Sequence, residues 1–311
     1  MIVGWGLEEL PALAGERPFV VASPRWRGVL DAADRWEEVP SHRIEVPKGA
    51  DTIVAVGGGS AIDTGKAASA ATGLPLVSVP TTYSGAEWTE FFGVRDPDRR
   101  MRGGGAGANL HAIVYEPTLT LELPRPETVG TALNALAHCA EALYVEGHNA
   151  EADAEALEGA RLIGAWLPQV VERPDDLDAR TELLRGACHA GAALGKSFLA
   201  LGHALAQGLG GAYGAPHGAL NALTLPLALR FNQPVAAAAI ARFGQALETD
   251  DPAAKVQELA RLGGFDRLRD LGIPEDAPAK VAESVAARPG AQANPRPVTP
   301  ADVEELLSSI W

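Results

Sequence analysis

A parallel-sheet α/β domain followed by an all-helical domain is what this sequence predicts. Three observations carry that expectation. Short β-rich runs bounded by turn residues fill the first third, a glycine triplet links one run to an alanine-rich helix, and long Ala/Leu segments take over after Pro124. In order, Pro18–Ala22 (PFVVA) ends at Ser23-Pro24, and residues 51–56 (DTIVAV) run into Gly57-Gly58-Gly59-Ser60. Residues 76–79 (LVSV) stop at Pro80, and residues 112–115 (AIVY) stop at Glu116-Pro117. Short apolar strands joined through helices suit a parallel sheet covered on both faces. The stretch AIDTGKAASAATG supplies a helix between the second and third runs, with Gly73 suited to its C-terminal cap. Pro124-Arg125-Pro126 marks a junction, because a residue before proline disfavours helix. The predicted domains are therefore 1–124 and 125–311. The closing NPRPVTPADVEELLSSIW reads as an extended arm and then a helix, with Thr299 as cap, Pro300 in the first turn and Asp302 at the positive end.

At 311 residues, folding buries about three-quarters of the unfolded chain's surface, so neither a disulfide nor a structural metal is needed for stability. A formal charge of −14 without a basic run argues against nucleic-acid and anionic-membrane partners. Cys139 and Cys188, in alanine-rich surroundings without a CxxC pattern, read as buried inert thiols of a reducing compartment. No leader-like or membrane-spanning run is visible, and a cytoplasmic location is the expectation.

DTIVAVGGGSAIDTGK places three glycines where a strand hands over to a helix. Glycine lets a phosphate approach the backbone, and the amides of a helix start favour anions; taken alone, the triplet equally suits a tight turn. It is neither GxGxxG nor a Walker loop, because Ala67 follows Gly65-Lys66. Thr81-Thr82-Tyr83 adds hydroxyls at the C-terminal end of a strand, where open α/β sheets bind ligands. Ser23-Pro24-Arg25 lies where a ribose would be read. No acid is present there to repel a 2′-phosphate, so NADPH is expected to serve at least as readily as NADH.

Asn134 and His138, four apart, share one face of a helix; His203 and His217 follow. Three imidazoles with a carboxylate would suit a Lewis-acidic transition metal, but the carboxylate position holds Asn134, which brings no charge. Any one of these histidines by itself reads as a satisfied core residue. His42, His111, His148 and His189 are expected to be structural or solvated.

In GGGSAIDTGKAAS, VPTTYSGAEWT, NALAHCAEALY, GHALAQGLGGAYGAPHG and NPRPVT, in that order, the chain resembles the iron-containing (group III) alcohol dehydrogenase family over nearly its whole length. The resemblance implies a Rossmann-like N-terminal domain and a helical C-terminal domain of the dehydroquinate synthase-like fold. It also implies cofactor contacts from Ser23, Gly58, Gly59, Ser60, Asp63, Thr81 and Thr82, catalytic roles for Asn134, His138, His203 and His217, and a homodimer. Within the family, PTTYxGxE, Asn in NAxAHxxEALY and the NPRPVT ending resemble the maleylacetate reductases. That resemblance implies hydride transfer from NADH or NADPH to a small, dianionic unsaturated oxo-acid without dependence on metal. Iron or zinc, if present, would be held by His138, His203 and His217. Ala204, Gln207 and the GALNALTLP continuation depart from the reductases and keep a metal-dependent alcohol dehydrogenase as the alternative. A lyase of the dehydroquinate synthase type lacks the lysines and arginines it would need in this alanine-rich second half, and a non-catalytic nucleotide-binding scaffold is the remaining reading. The expectation is a nicotinamide lying between the two domains and facing the histidines, with Lys196, Arg102 and Arg230 as candidates to neutralise a dicarboxylate.

Overall fold

The computed structural model describes residues 1–98 and 100–311. The chain divides into two compact units, Met1–Glu122 and Leu123–Trp311.

The first unit is built on a six-stranded, all-parallel sheet of order β1-β8-β5-β4-β2-β3. Its strands are β1 (Ile2–Trp5), β2 (Pro18–Ala22), β3 (Asp34–Trp36), β4 (Thr52–Gly57), β5 (Pro75–Pro80) and β8 (Asn109–Tyr115). The two-residue alternation of a strand divides the apolar runs between two cores. Val20, Ala22, Val54, Val56, Val77 and Val79 face one way, onto Leu10 of the one-turn helix α1 (Leu10–Leu13) and onto Trp26 and Leu30. Phe19, Val21, Ile53, Ala55 and Leu76 face the other, onto Ala68 of α2 (Gly59–Thr72) and onto Trp36, Val39 and Ile44. Gly73 ends α2 in the left-handed conformation (φ 76°) and donates its N–H to Ser69 O at 2.7 Å.

Among the described residues α2 is the only full helix in this unit; α1, a 3-10 segment (Pro24–Val29) and irregular chain cover the rest of the sheet. An antiparallel hairpin, β6 (Phe92–Arg95) and β7 (Met101–Gly105), is fastened to α2. Lys66 Nζ, on a buried side chain, donates to Phe91 O at 2.8 Å, and Gly93 N–H donates to Asp63 Oδ2 at 3.2 Å.

The second unit is helical: α3 (Arg125–Ala142), α4 (Ala150–Glu172), α5 (Leu177–Lys196), α6 (Leu201–Tyr213), α7 (His217–Ala246), α8 (Pro252–Leu262), α9 (Ala277–Ala286), the single turn α10 (Pro289–Gln292) and α11 (Pro300–Ser308). Side-chain caps start several of them: Asn149, Asp176 and Asp251 accept from the amides three residues on. Pro124 is the N-cap of α3 and Pro126 lies in its first turn, directly after the boundary between the two units. Small residues let the backbones meet. A Cβ at Gly218 would lie 2.5 Å from Gly130 C and O, so α3 and α7 touch there only because glycine is present. Burial pushes the Cys139 thiol up, away from reactivity, whereas Cys188 is half-buried. No helix among the described residues is long and apolar enough to cross a membrane.

At α11, Thr299 and Asp302 form a reciprocal capping box, with Thr299 N–H to Asp302 Oδ2 at 2.8 Å and Asp302 N–H to Thr299 Oγ1 at 3.2 Å. Thr299→Ala is expected to lower unfolding free energy by about 1 kcal/mol. Urea denaturation of the two proteins checks it; an unchanged midpoint would contradict the cap's contribution.

Candidate active site

The chain leaving β2 turns to β3 on one side of the sheet, whereas the chain leaving β4 goes through α2 to β5 on the other. The C-terminal ends of β2 and β4 therefore bound the switch-point crevice in which open α/β sheets bind ligands. Ser23 follows β2 there in an extended conformation (φ −64°, ψ 157°), and Gly57 to Ser60 follow β4. Gly58 is the N-cap of α2 and no side chain caps the helix. Its first amides are thus left for an anion, reinforced by the helix dipole. The cradle is close-fitting: a Cβ at Gly58 would meet Thr82 Cγ2 at 2.9 Å. Thr81 N–H donates to Gly57 O at 3.0 Å, tying the two loops together, and Thr82 Oγ1 lies 3.2 Å from Ser84 Oγ. These features fit a dinucleotide diphosphate.

Asp63 is differently engaged. Its carboxylate accepts from Gly93 N–H and lies 3.7 Å from Lys66 Nζ, so it anchors the hairpin. Burial, opposed by Lys66, pushes its carboxyl upward and Lys66's ammonium downward. Arg25 donates to Glu122 Oε2 at 3.0 Å and lies over the Trp26 ring at 4.4 Å. That exposed pair is weak, so the guanidinium can exchange partners.

In the second unit, three imidazoles come together. The rings of His138 and His203 stack with centroids 4.7 Å apart and planes 15° apart, and His217 lies 5.8 Å from His203, tilted by 52°. His138 and His203 are buried and His217 is exposed, so the cluster grades from floor to rim. A residue not singled out in the sequence holds it together. Glu141, fully buried on α3, accepts from His203 Nδ1 at 2.7 Å, from His203 N–H at 3.1 Å and from Ala200 N–H at 2.8 Å. It thereby caps α6 in trans, since Ala200 has no capping side chain, and satisfies amides that a helix start leaves unpaired. A Cβ at Gly202 would lie 2.8 Å from Glu141 Oε1, which explains glycine at that position. With Nδ1 engaged, Nε2 is the ring nitrogen left open; it is buried without a hydrogen-bond partner, as is His138 Nδ1. The signal for Glu141 was present in the sequence as its i,i+3 spacing from His138.

Asn134 Oδ1 accepts from Asn221 Nδ2 at 2.7 Å, and the same nitrogen is 3.0 Å from His217 Nε2. Asn221, one turn after His217 on α7, is a second member that sequence reading passed over. Burial, aided by His203 and His217, depresses the His138 imidazole and keeps it neutral. His189 and His148 lie elsewhere, against Glu155 at 2.7 Å and Asp153 at 3.9 Å.

The acid that would complete a three-histidine metal set is missing, and three neutral imidazoles are what remains for iron or zinc. The Asn134 amide oxygen is taken up by Asn221, the Glu141 carboxylate is consumed by His203 and two amides, and the remaining ligands are neutral. Among the described residues, no three His, Cys, Asp or Glu side chains are grouped to hold a metal.

Comparisons with known proteins place the chain in a family. Residues 20–113 match the family described as "Iron-containing alcohol dehydrogenase", and residues 128–311 match "Fe-containing alcohol dehydrogenase family, C-terminal". A maleylacetate reductase of Burkholderia cepacia is 39% identical over 271 residues, covering 86% of this chain and 76% of the relative. The crystal structure of maleylacetate reductase from Agrobacterium tumefaciens superposes with TM-score 0.87 at 28% identity, covering 100% of this chain and 95% of that one. An iron-containing alcohol dehydrogenase from Corynebacterium glutamicum gives TM-score 0.88 at 29% identity, over 100% and 94%.

Two substitutions probe the cluster's energetics. Glu141→Gln would set an amide N–H against a buried donor and is expected to cost about 1–3 kcal/mol of unfolding free energy. His138 has its folded-state affinity for protons depressed, so on acidification the unfolded chain takes up a proton that the folded one refuses. Stability is therefore lost as pH falls through about 6.5, at up to about 1.4 kcal/mol per pH unit. Urea unfolding above and below that pH should show a shallower decline in His138→Asn; an identical slope would exclude the buried neutral ring as the cause.

Proposed function

This chain belongs to the iron-containing alcohol dehydrogenase family, and on that premise we propose that it reduces an unsaturated oxo-dicarboxylate of the maleylacetate type with NADPH or NADH. It is an oxidoreductase resembling the maleylacetate reductases. The observation that carries the substrate reading is Asn134 bonded to Asn221, a neutral pair at the position where a charged metal ligand was expected.

In this reading the amides of Gly58, Gly59 and Ser60 take the diphosphate, Ser23 reads the ribose, and Thr81 and Thr82 support the nicotinamide end. Asp63 supports the loop through the hairpin instead of touching phosphate. The reduced nicotinamide, when bound, supplies a hydride. As that hydride reaches the carbon β to the substrate carbonyl, the carbon–carbon π bond breaks and negative charge moves onto the carbonyl oxygen. His203 donates its Nδ1–H to Glu141, so a second proton, carried by the imidazolium form, sits on Nε2, and that N–H is the donor to the developing enolate, the task an oxyanion hole performs. His217, exposed at the rim and oriented by Asn221, exchanges protons with solvent and supplies the one that the α-carbon takes up. One hydride and one proton complete the reduction. His138 remains neutral and fixes the His203 plane by stacking. A homodimer belongs to the same family reading, and light scattering checks it.

The deciding measurement is oxidation of NADPH and of NADH against maleylacetate, simple aldehydes and ketones, with chelator and with added Fe²⁺ or Zn²⁺. Maleylacetate should be reduced in chelator, with NADPH at least as effective as NADH, and His203→Ala should lose roughly 10²-fold or more in kcat. Turnover of alcohols or aldehydes that appears only with added metal, or stoichiometric iron or zinc in protein purified without chelator, would overturn the metal-free reading.

A further inference from the structure

A dianionic substrate needs a counter-charge near the imidazoles, and a chain of net charge −14 supplies few. Two of the cations that the sequence offered are paired with carboxylates: Lys196 Nζ with Glu155 at 3.2 Å and Arg102 Nε with Asp96 at 2.7 Å. Arg230 is exposed on α7 and donates to the Gln257 amide of α8 at 3.2 Å, with no contact to the imidazoles among its hydrogen bonds.

Arg288, just after α9, is differently situated. Its guanidinium lies along the α6 stripe that carries His203: Nη1 is 3.5 Å from Gln207 Oε1, and a Cβ at Gly211 would be 3.8 Å from Nη2. Residues 203, 207 and 211 are spaced by four and so share one helix face. Along that stripe exposure rises from buried His203 through half-buried Gln207 to exposed Gly211, so the guanidinium lies toward the exposed end of the helix face that carries His203. Its Nε is buried and has no hydrogen-bond partner, and among the described residues no carboxylate pairs with it. Desolvation alone pushes the Arg288 guanidinium below its ordinary value, as expected of a cation short of counter-charge.

We infer that Arg288, with Gln207 beside it, anchors the carboxylate of the oxo-dicarboxylate that is remote from the reacting carbonyl. The inference rests on the substrate class proposed above. Guanidinium has the forked donor geometry that matches a carboxylate. One helical turn, about 6 Å, separates Gln207 from His203, the length scale of a small oxo-diacid. Gln207 contributes a neutral amide, which leaves the guanidinium's charge for the substrate. A charged residue at position 207 would neutralise it or repel it.

The test is steady-state kinetics of the full chain with maleylacetate and with a neutral ketone that the wild type also turns over, for Arg288→Met, Arg288→Lys and Gln207→Glu. An anchor binds ground state and transition state alike. Arg288→Met should therefore raise KM for maleylacetate roughly 10- to 100-fold, with a much smaller change in kcat and little change toward the ketone. Arg288→Lys should recover part of the loss, and Gln207→Glu, which sets a carboxylate against the guanidinium, should raise the same KM. If the wild type reduces maleylacetate but KM moves by less than about twofold, the effect of an ordinary surface substitution, in both Arg288→Met and Gln207→Glu, the anchor is wrong and the function stands. Equal losses toward maleylacetate and the ketone would also overturn it, because they would mark a merely structural role. If the wild type reduces no oxo-diacid, the substrate reading fails and the anchor with it.

Discussion

The helical unit depends on one buried carboxylate. Glu141 cannot be left unpaired in the interior, where an isolated charge costs far more than a hydrogen bond returns. Three N–H donors, all from α6 or its cap, meet that need. The same contacts therefore set three things at once: where α6 begins, how it approaches α3, and which nitrogen of His203 carries a proton. Gly202 keeps its place because any side chain there would strike the carboxylate. Structural and chemical demands coincide in this one group, so the site's precision derives from helix packing and not from a loop.

The sheet unit solves a different problem with less material. Its central strands β2, β4 and β5 are nearly all apolar and buried, and among the described residues α2 is its only long helix. Irregular chain covers the remaining surface, yet the loops that matter are held by hydrogen bonds that cross between neighbouring strand ends, such as Thr81 N–H to Gly57 O. Lys66 and Asp63 fasten the hairpin to α2 and leave the helix start uncapped. An anion arriving there meets amides and a dipole, with the nearest acid of α2 already engaged.

Much of this was legible in the sequence. Strands such as Pro18–Ala22 announced themselves by β-branched runs between turn residues, and the α11 cap by Thr299 and Asp302. The strands β1 and β3 and the β6–β7 hairpin did not: Ile2–Trp5 is four residues beside a glycine, Asp34–Trp36 is three residues with two charges, and β7 is largely glycine. Propensity is weak over such lengths, and tertiary pairing decides. Asn134, His138, His203 and His217 were identifiable by type and spacing, and the structure does bring them together. Glu141 and Asn221 were not distinguished, because their contacts run between α3 and α6 or α7 across 62 and 87 residues of chain. The second engagement of Asp63, with Gly93 N–H, was hidden because its partner is a backbone group that no side-chain pattern can reveal.

The neutrality of position 134 is consistent with everything around it. A carboxylate there would face Asn221 and His217 in a poorly solvated setting and would demand a cation or a protonated ring. An amide makes the same bond to Asn221 Nδ2 without that demand, which leaves His138 free to stay neutral and stacked. In the proposed mechanism, exchanging one acid for its amide shifts the electrostatic work of the site from a fixed ion to protons carried on histidine nitrogens. Such a site suits stabilising a diffuse enolate oxygen better than gripping an alkoxide. On that ground the Asn134–Asn221 pair and the Glu141–His203 pair form one design: one removes charge where a cation would have bound, and the other fixes the nitrogen that takes over its task.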